Sequence, residues 1–275
     1  MKVCLWSRNP DSLSRIDRVF VVTDIKVAVI GANGRMGSEA VKAVGAAEGL
    51  RLVGAYGSRD ELGDLGGADV AVELTVPAAS PDNVAHCIDR GVHVVVGTTG
   101  WDEARLAALR HQLDGAPPAR TGSGVGVLIA PNFAIGALLM MSVAAKAARY
   151  FESVEIIELH HPGKVDAPSG TAARTAALIG TARDEAGLPA VPDATTHDPE
   201  GARGAQLSGI HVHSVRLRGL VAHQEVLLGN AGEQLTIRHD SFDRASFMPG
   251  VMAAVRAVAD HPGLTVGLEK YLGLD

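Results

Sequence analysis

The sequence predicts an α/β protein: a doubly wound parallel sheet in the first half, then a separate α+β domain with a mixed or antiparallel sheet. Three observations carry this expectation. From Ile25 to about Asn132, short β-rich runs alternate with helical segments of about ten residues, the spacing of right-handed βαβ units. A glycine-rich turn, Gly31-Ala32-Asn33-Gly34-Arg35-Met36-Gly37, directly follows the first run. Late in the chain, by contrast, three β-rich runs succeed one another without an intervening helix.

The elements follow in order. Ile25-Lys26-Val27-Ala28-Val29-Ile30 is the first strand, and residues 38–47 form a helix with Ala40, Val41 and Val44 on one face. Strands are expected at residues 50–55, 70–75, 93–96 and 125–129, with helices at 80–90 and 103–113 between them. In such sheets ligands sit beyond the carboxyl ends of the strands. Three of those ends carry small polar residues: Thr75, Gly97-Thr98-Thr99-Gly100 and Ala130-Pro131-Asn132-Phe133. In the second half, residues 155–159 read as a strand, 171–181 as a helix and 182–207 as a long Pro- and Gly-rich loop. Strands at 210–218, 224–229 and 234–238 come next. A helix at 249–259, with Pro249 at its start, is expected to return to the first domain.

Bulk properties agree with two buried cores. The chain has 275 residues, 47% apolar, with 32 glycines and only 4% aromatics, so its cores must be built from aliphatic side chains. A net charge of -6 without a long basic run argues against nucleic acid or an anionic membrane as a partner. Two cysteines, Cys4 and Cys87, do not make a disulfide framework and point to a reducing compartment. No apolar run approaches the roughly 18 residues of a membrane span. Residues 1–24 mix charges with a short Val19-Phe20-Val21-Val22 run. They are expected to be a disordered extension or the product of an upstream start codon.

The glycine turn is a GxxGxxG relative of the dinucleotide fingerprint. Glycines there permit a tight turn and close backbone approach, so that a pyrophosphate can meet free N–H groups at a helix N-terminus. The expectation is a Rossmann-like site for a nicotinamide dinucleotide. About 20 residues on, an acid that would hold an NAD ribose is missing: Gly57 is followed by Ser58 and Arg59, with Asp60 and Glu61 close by. Ser58 and Arg59 suit a 2′-phosphate, which favours NADPH while leaving NADH possible.

A second constellation lies at Glu158-Leu159-His160-His161-Pro162-Gly163-Lys164-Val165-Asp166-Ala167-Pro168-Ser169-Gly170-Thr171-Ala172. Ser169, Gly170 and Thr171 at a helix start can offer hydroxyls and N–H groups to a carboxylate. Lys164 can stabilise developing negative charge or deliver a proton, and a histidine suits acid–base duty near neutral pH.

The run from His160 to Thr171 resembles the HHxxKxDAPSGTA signature of the 4-hydroxy-tetrahydrodipicolinate reductases. Gly97 to Gly100, Ala130 to Phe133, His223 to Gly229, and Ile237 through Arg244 are similar too, in family order from Ile25 onward. The resemblance implies an NAD(P)H-dependent reductase of a cyclic 4-hydroxy imine dicarboxylate, cytoplasmic, on the diaminopimelate and lysine route. It implies His160 as proton donor and acceptor, Lys164 as proton donor, and His161, Gly170 and Thr171, with Ser169 beside them, as substrate contacts. It also implies cofactor contacts at Gly31, Ala32, Asn33, Gly34, Arg35 and Met36, at Gly97, Thr98 and Thr99, and at Ala130, Pro131, Asn132 and Phe133. Some relatives carry an acid where this chain has Gly57, and residues 1–24 have no family counterpart. The implied division places dinucleotide binding in 25–134 and 244–275. Substrate binding and homotetramer assembly fall in 135–243.

Two other classes compete. A metal-dependent hydrolase could use His160, His161, His211 and His213, but no carboxylate ligand has clear spacing and the glycine turn would be unexplained, so no metal is expected. A non-catalytic dinucleotide sensor would leave Lys164 and the Ser169-Gly170-Thr171 pocket unused. A cysteine nucleophile is not expected, because Cys87 lies mid-helix and Cys4 in the extension.

Overall fold

The structure, a computed structural model, describes residues 24–274; the expected extension and Cys4 lie outside the described residues, Asp24 excepted. The first sheet is built from β1 Ile25–Ile30, β2 Leu50–Tyr56, β3 Val70–Glu73, β4 His93–Val96, β5 Gly126–Ile129 and, from the far end of the chain, β11 Gly263–Val266. Its order is β11-β5-β4-β3-β1-β2, and every pairing is parallel. The chain steps outward from β1 to β2 and then crosses back over β1 to β3. The direction of winding therefore reverses between β1 and β3, where such sheets open a crevice.

Helices α1 Arg35–Ala46 and α6 Met248–Ala257 cover one face, and α2 Ser80–Ile88 with α3 Glu103–Asp114 the other. This is why the strands read as unbroken apolar runs. Val27 and Val29 point into the layer with Ala40, Val44 and Val251, while Ala28 and Ile30 point into the layer with Val84 and Ile88. Each buried Val, Leu or Ile contributes about 1.5–3 kcal/mol, far more than strand propensity does.

The second sheet contains β6 Ser153–His160, β7 Ala205–Leu207, β8 Ile210–Arg216, β9 Ala222–Asn230 and β10 Glu233–Ser241. Its order is β10-β9-β6-β8-β7; β6 and β8 are parallel and the other pairs antiparallel, so the sheet is mixed. In β6 alternate residues are buried, Val154, Ile156 and Glu158, against α4 Ile135–Ala147 and α5 Gly170–Glu185. The core under this sheet is continuous with one face of the first.

Two elements depart from the sequence expectations. Helix α4 is apolar almost all round, so it lacks the 3.6-residue period that reveals an amphipathic helix. Strand β11 is four residues long and only half-buried, and it gains its identity solely by pairing with β5. In addition, α5 runs on to Glu185 and β7 takes residues 205–207, which shortens the expected loop to about residues 186–204.

The glycines of the first turn are sterically required. Gly31 has φ 87°, and a Cβ there would run into the Leu74 carbonyl; a Cβ at Gly37 would run into the Gly31 carbonyl. Gly37→Ala should therefore destabilise the protein by about 1–3 kcal/mol, the usual cost of overpacking. Urea unfolding would measure it, and an unchanged midpoint would show that the turn can relax.

Candidate active site

Two connected hollows lie at the carboxyl ends of the first sheet. The outer one, about 470 Å³, is lined by Gly31, Asn33, Gly34, Gly57, Ser58 and Asp60 on one side and by Thr75, Val76, Ala79 and Asn83 on the other. Helix α1 starts here at Gly34 without a side-chain cap and with no acid in its first turn, which leaves its N–H groups and dipole to an anion. A buried carboxylate supports the opposite wall. Glu73 accepts from Ser80 Oγ at 2.6 Å, from Thr75 N at 3.2 Å, from Asn83 Nδ2 at 3.3 Å and from Thr75 Oγ1. Thr75 N also donates to Thr98 Oγ1 at 2.8 Å, joining the loops after β3 and β4. The narrow turn, the bare helix terminus and the extended groove fit a dinucleotide.

The inner hollow, about 250 Å³, lies between the two sheets and shares Leu74 with the outer one. Met36, Gly97, Ala130, Pro131, Asn132 and Phe133 form its first-sheet side. His160, Ser169 and Thr171 face it from the second. Of the other residues singled out in the sequence, Thr98 is buried behind the groove wall and Ala32 lies under the turn. Arg35, Arg59, Thr99, His161, Lys164 and Gly170 do not line either hollow directly. Sequence reasoning gave no role to Ala222, His223, Gln224, His239, Ser241 or Phe247, which complete the inner wall. Most of them fall within the matching stretches from His223 and from Ile237, which was the only signal.

Glu158 organises this wall. It has no solvent exposure and receives four donors: Arg216 Nη1 at 2.9 Å, Arg216 Nη2 at 2.8 Å, Ser169 N at 3.2 Å and His160 Nδ1 at 2.5 Å. A carboxylate held by an arginine can only accept, so His160 carries its proton on Nδ1 and leaves Nε2 free. Burial lowers the His160 pKa below its ordinary 6.5, with Glu158 pulling the other way. The imidazole is accordingly neutral at pH 7 and equipped to take a proton. Arg216 reaches on to the Asp166 carbonyl at 2.8 Å, and the Asp166 carboxylate holds Lys164 Nζ at 2.7 Å. The loop that carries the amine is thereby tied to the carboxylate that orients the histidine.

The start of α5 leaves backbone donors free at the cavity. Ser169 Oγ is occupied as the helix cap, accepting from Ala172 N at 3.1 Å. The N–H groups of Gly170 and Thr171 have no hydrogen-bond partner among the described residues, and a Cβ on Gly170 would meet open space. Thr171 Oγ1 accepts from Asn132 Nδ2 at 3.2 Å, which leaves its proton to give away and bridges the two sides of the cleft.

The competing readings gain little. His211 and His213 share a face of β8 but pair with Asp193 and Glu155, apart from His160. Among the described residues no group of three His, Cys, Asp or Glu is arranged to hold a metal. Cys87 is buried, and burial pushes its thiol up to about 12, unsuited to nucleophilic work. No helix among the described residues is long and apolar enough to cross a membrane.

The ion pair has a stability signature. Burial opposes the charge on Glu158, but Arg216, Ser214 and His160 outweigh it and hold the pKa below 4.5. A depressed carboxylate contributes stability above its unfolded pKa and loses it as pH falls through the folded one. Glu158→Gln should cost about 2–3 kcal/mol at pH 7, less than a fully buried pair because Arg216 is partly exposed. It should also flatten the decline of Tm below pH 4.5. Parallel wild-type and variant Tm curves across that range would remove Glu158 from the acid transition.

Comparison with known proteins points one way. Residues 25–133 match the family described as dihydrodipicolinate reductase, N-terminus, and residues 136–272 match its C-terminus. A 4-hydroxy-tetrahydrodipicolinate reductase of Thermobifida fusca is 60% identical over 251 residues, 91% of this chain and all of the relative. One of Streptomyces griseus is 58% identical over 256 residues, 92% of this chain and all of the relative. Among solved structures, a dipicolinate-bound dihydrodipicolinate reductase from Paenisporosarcina superposes with a TM-score of 0.76 at 37% identity, covering 90% of this chain and 99% of its own. With both halves matched in order over nearly its whole described length, the chain belongs to the dihydrodipicolinate reductase family.

Proposed function

We propose that the cleft between the two sheets reduces a cyclic 4-hydroxy imine dicarboxylate, 4-hydroxy-tetrahydrodipicolinate, to tetrahydrodipicolinate with loss of water, using NADH or NADPH, in lysine and diaminopimelate biosynthesis. The observation that carries it is a dinucleotide groove adjoining a cavity that an oriented neutral imidazole and an anion-binding helix start face.

Gly31, Gly34 and the first turn of α1 hold the pyrophosphate, with Asn33, Arg35 and Met36 flanking it. Gly97 to Thr99 and Ala130 to Phe133 frame the opposite end of the dinucleotide. When bound, the nicotinamide supplies a hydride to the conjugated double bond. The Gly170 and Thr171 N–H groups and the Thr171 hydroxyl take one substrate carboxylate at the positive end of α5. His161 lies beside the cleft as a further anion contact. His160 Nε2 accepts a proton during loss of water and returns one later, its ring held by Glu158. Lys164 gives a proton as electron density builds along the C=C–C=N system, which its positive charge also stabilises.

Residues 25–134 and 244–275 serve dinucleotide binding, and 135–243 substrate binding and assembly. We assign the protein to the cytoplasm as a homotetramer, which the family resemblance implies. Burial of only alternate residues in β6 supports this, since it leaves the other face of the second sheet for a neighbour.

Absorbance at the reduced nicotinamide band, with the condensation product of pyruvate and aspartate semialdehyde as substrate, tests the reaction. Consumption of at least one cofactor is expected, and none with either would overturn it. Lys164→Ala should lower kcat by roughly 10²–10⁴, the range of a lost general acid, with the cofactor Kd unchanged. Equal loss of turnover and cofactor affinity would instead make Lys164 a structural residue.

A further inference from the structure

The outer groove contains a carboxylate that its place in the sequence hides. An acid that reads an adenosine ribose normally sits at the end of the second strand, where this chain has Gly57. The Asn33 side-chain amide stands where a Cβ on Gly57 would lie, so the glycine lets the side chain of the turn occupy that space. The backbone then turns tightly. Asp60 N donates to Gly57 O at 3.3 Å, and the Asp60 carboxylate folds back so that Oδ2 accepts from Gly57 N at 2.7 Å. That oxygen lies 3.4 Å from where a residue-57 Cβ would stand. The carboxylate thus reaches the space an acid at 57 would have occupied, from three residues further on. Its second oxygen has no partner among the described residues. All three of Ser58, Arg59 and Asp60 are exposed, but only Ser58 and Asp60 line the groove.

We propose that Asp60 reads the 2′ position of the adenosine ribose and makes the protein prefer a dinucleotide with a free 2′-hydroxyl, NADH, over the 2′-phosphorylated NADPH. This rests on the dinucleotide assignment of the groove. The carboxylate accepts from ribose hydroxyls and repels a phosphate. Arg59, one residue earlier, does not line the groove, so a 2′-phosphate there would face the Asp60 carboxylate first.

The test is calorimetric titration of the full chain with NADH and with NADPH, alongside kcat/KM for each, in wild type and in Asp60→Asn and Asp60→Ala. Asparagine retains an acceptor for Gly57 N–H and removes the charge, so it separates the ribose role from support of the turn. Wild type should bind NADH more tightly. Asp60→Asn should weaken NADH about tenfold, as for one charge-assisted hydrogen bond, and leave NADPH unchanged or tighter. A wild-type preference for NADPH overturns the proposal. So does a ratio that moves less than twofold in Asp60→Asn, or an equal loss of both cofactors in both variants. Wild type that binds neither dinucleotide would overturn the groove assignment itself, a different failure from an unmoved ratio.

Discussion

A carboxylate without solvent exposure stays ionised only where the fold delivers enough donors, and the cleft of this protein is arranged around one such group. Glu158 draws its donors from three strands and loops: His160 on its own strand, Arg216 on β8 and the Ser169 backbone at the start of α5. Each donor is itself held in place by the contact. The histidine is set in one tautomer, the helix start is placed against the cavity, and Arg216 carries the constraint on to the loop of Asp166 and Lys164. Breaking the ion pair would loosen every polar group on the second-sheet side at once, which is the mark of a network whose members are not additive.

The first-sheet side is positioned differently, by close backbone packing more than by charge. Gly31 passes under Leu74 O, and Gly37 passes over Gly31 O, so strand, turn and helix touch without side chains between them. Glu73 then fastens the next loop from below through Thr75, Ser80 and Asn83. The glycine turn thus meets an ion-pair network across a gap bridged by Asn132 and Thr171.

Much of this was legible in the sequence. The alternation of apolar runs and helices gave the parallel sheet, because strands buried on both faces must be apolar throughout. The His160 to Thr171 run gave the family, because so many chemical groups in one loop have few other uses. What stayed hidden depends on pairing over distance. Arg216 meets Glu158 across 58 residues, and Gln224 enters the cavity wall only because β9 lies beside β6. Helix α4 escaped because a helix apolar almost all round has no period. Asp60 was visible as a residue but not as an occupant of the Gly57 space, since the turn that folds it back has no sequence signature of its own.

The last strand of the first sheet is also nearly the last of the chain. Because β11 pairs with β5, the sheet that begins at Ile25 stays unfinished until residues 263–266 have been made. During synthesis the whole second sheet is laid down while the β5 edge stands open to foreign strands. Without residues 263–266 every group of the cleft would remain, and β5 in place of β11 would border the sheet.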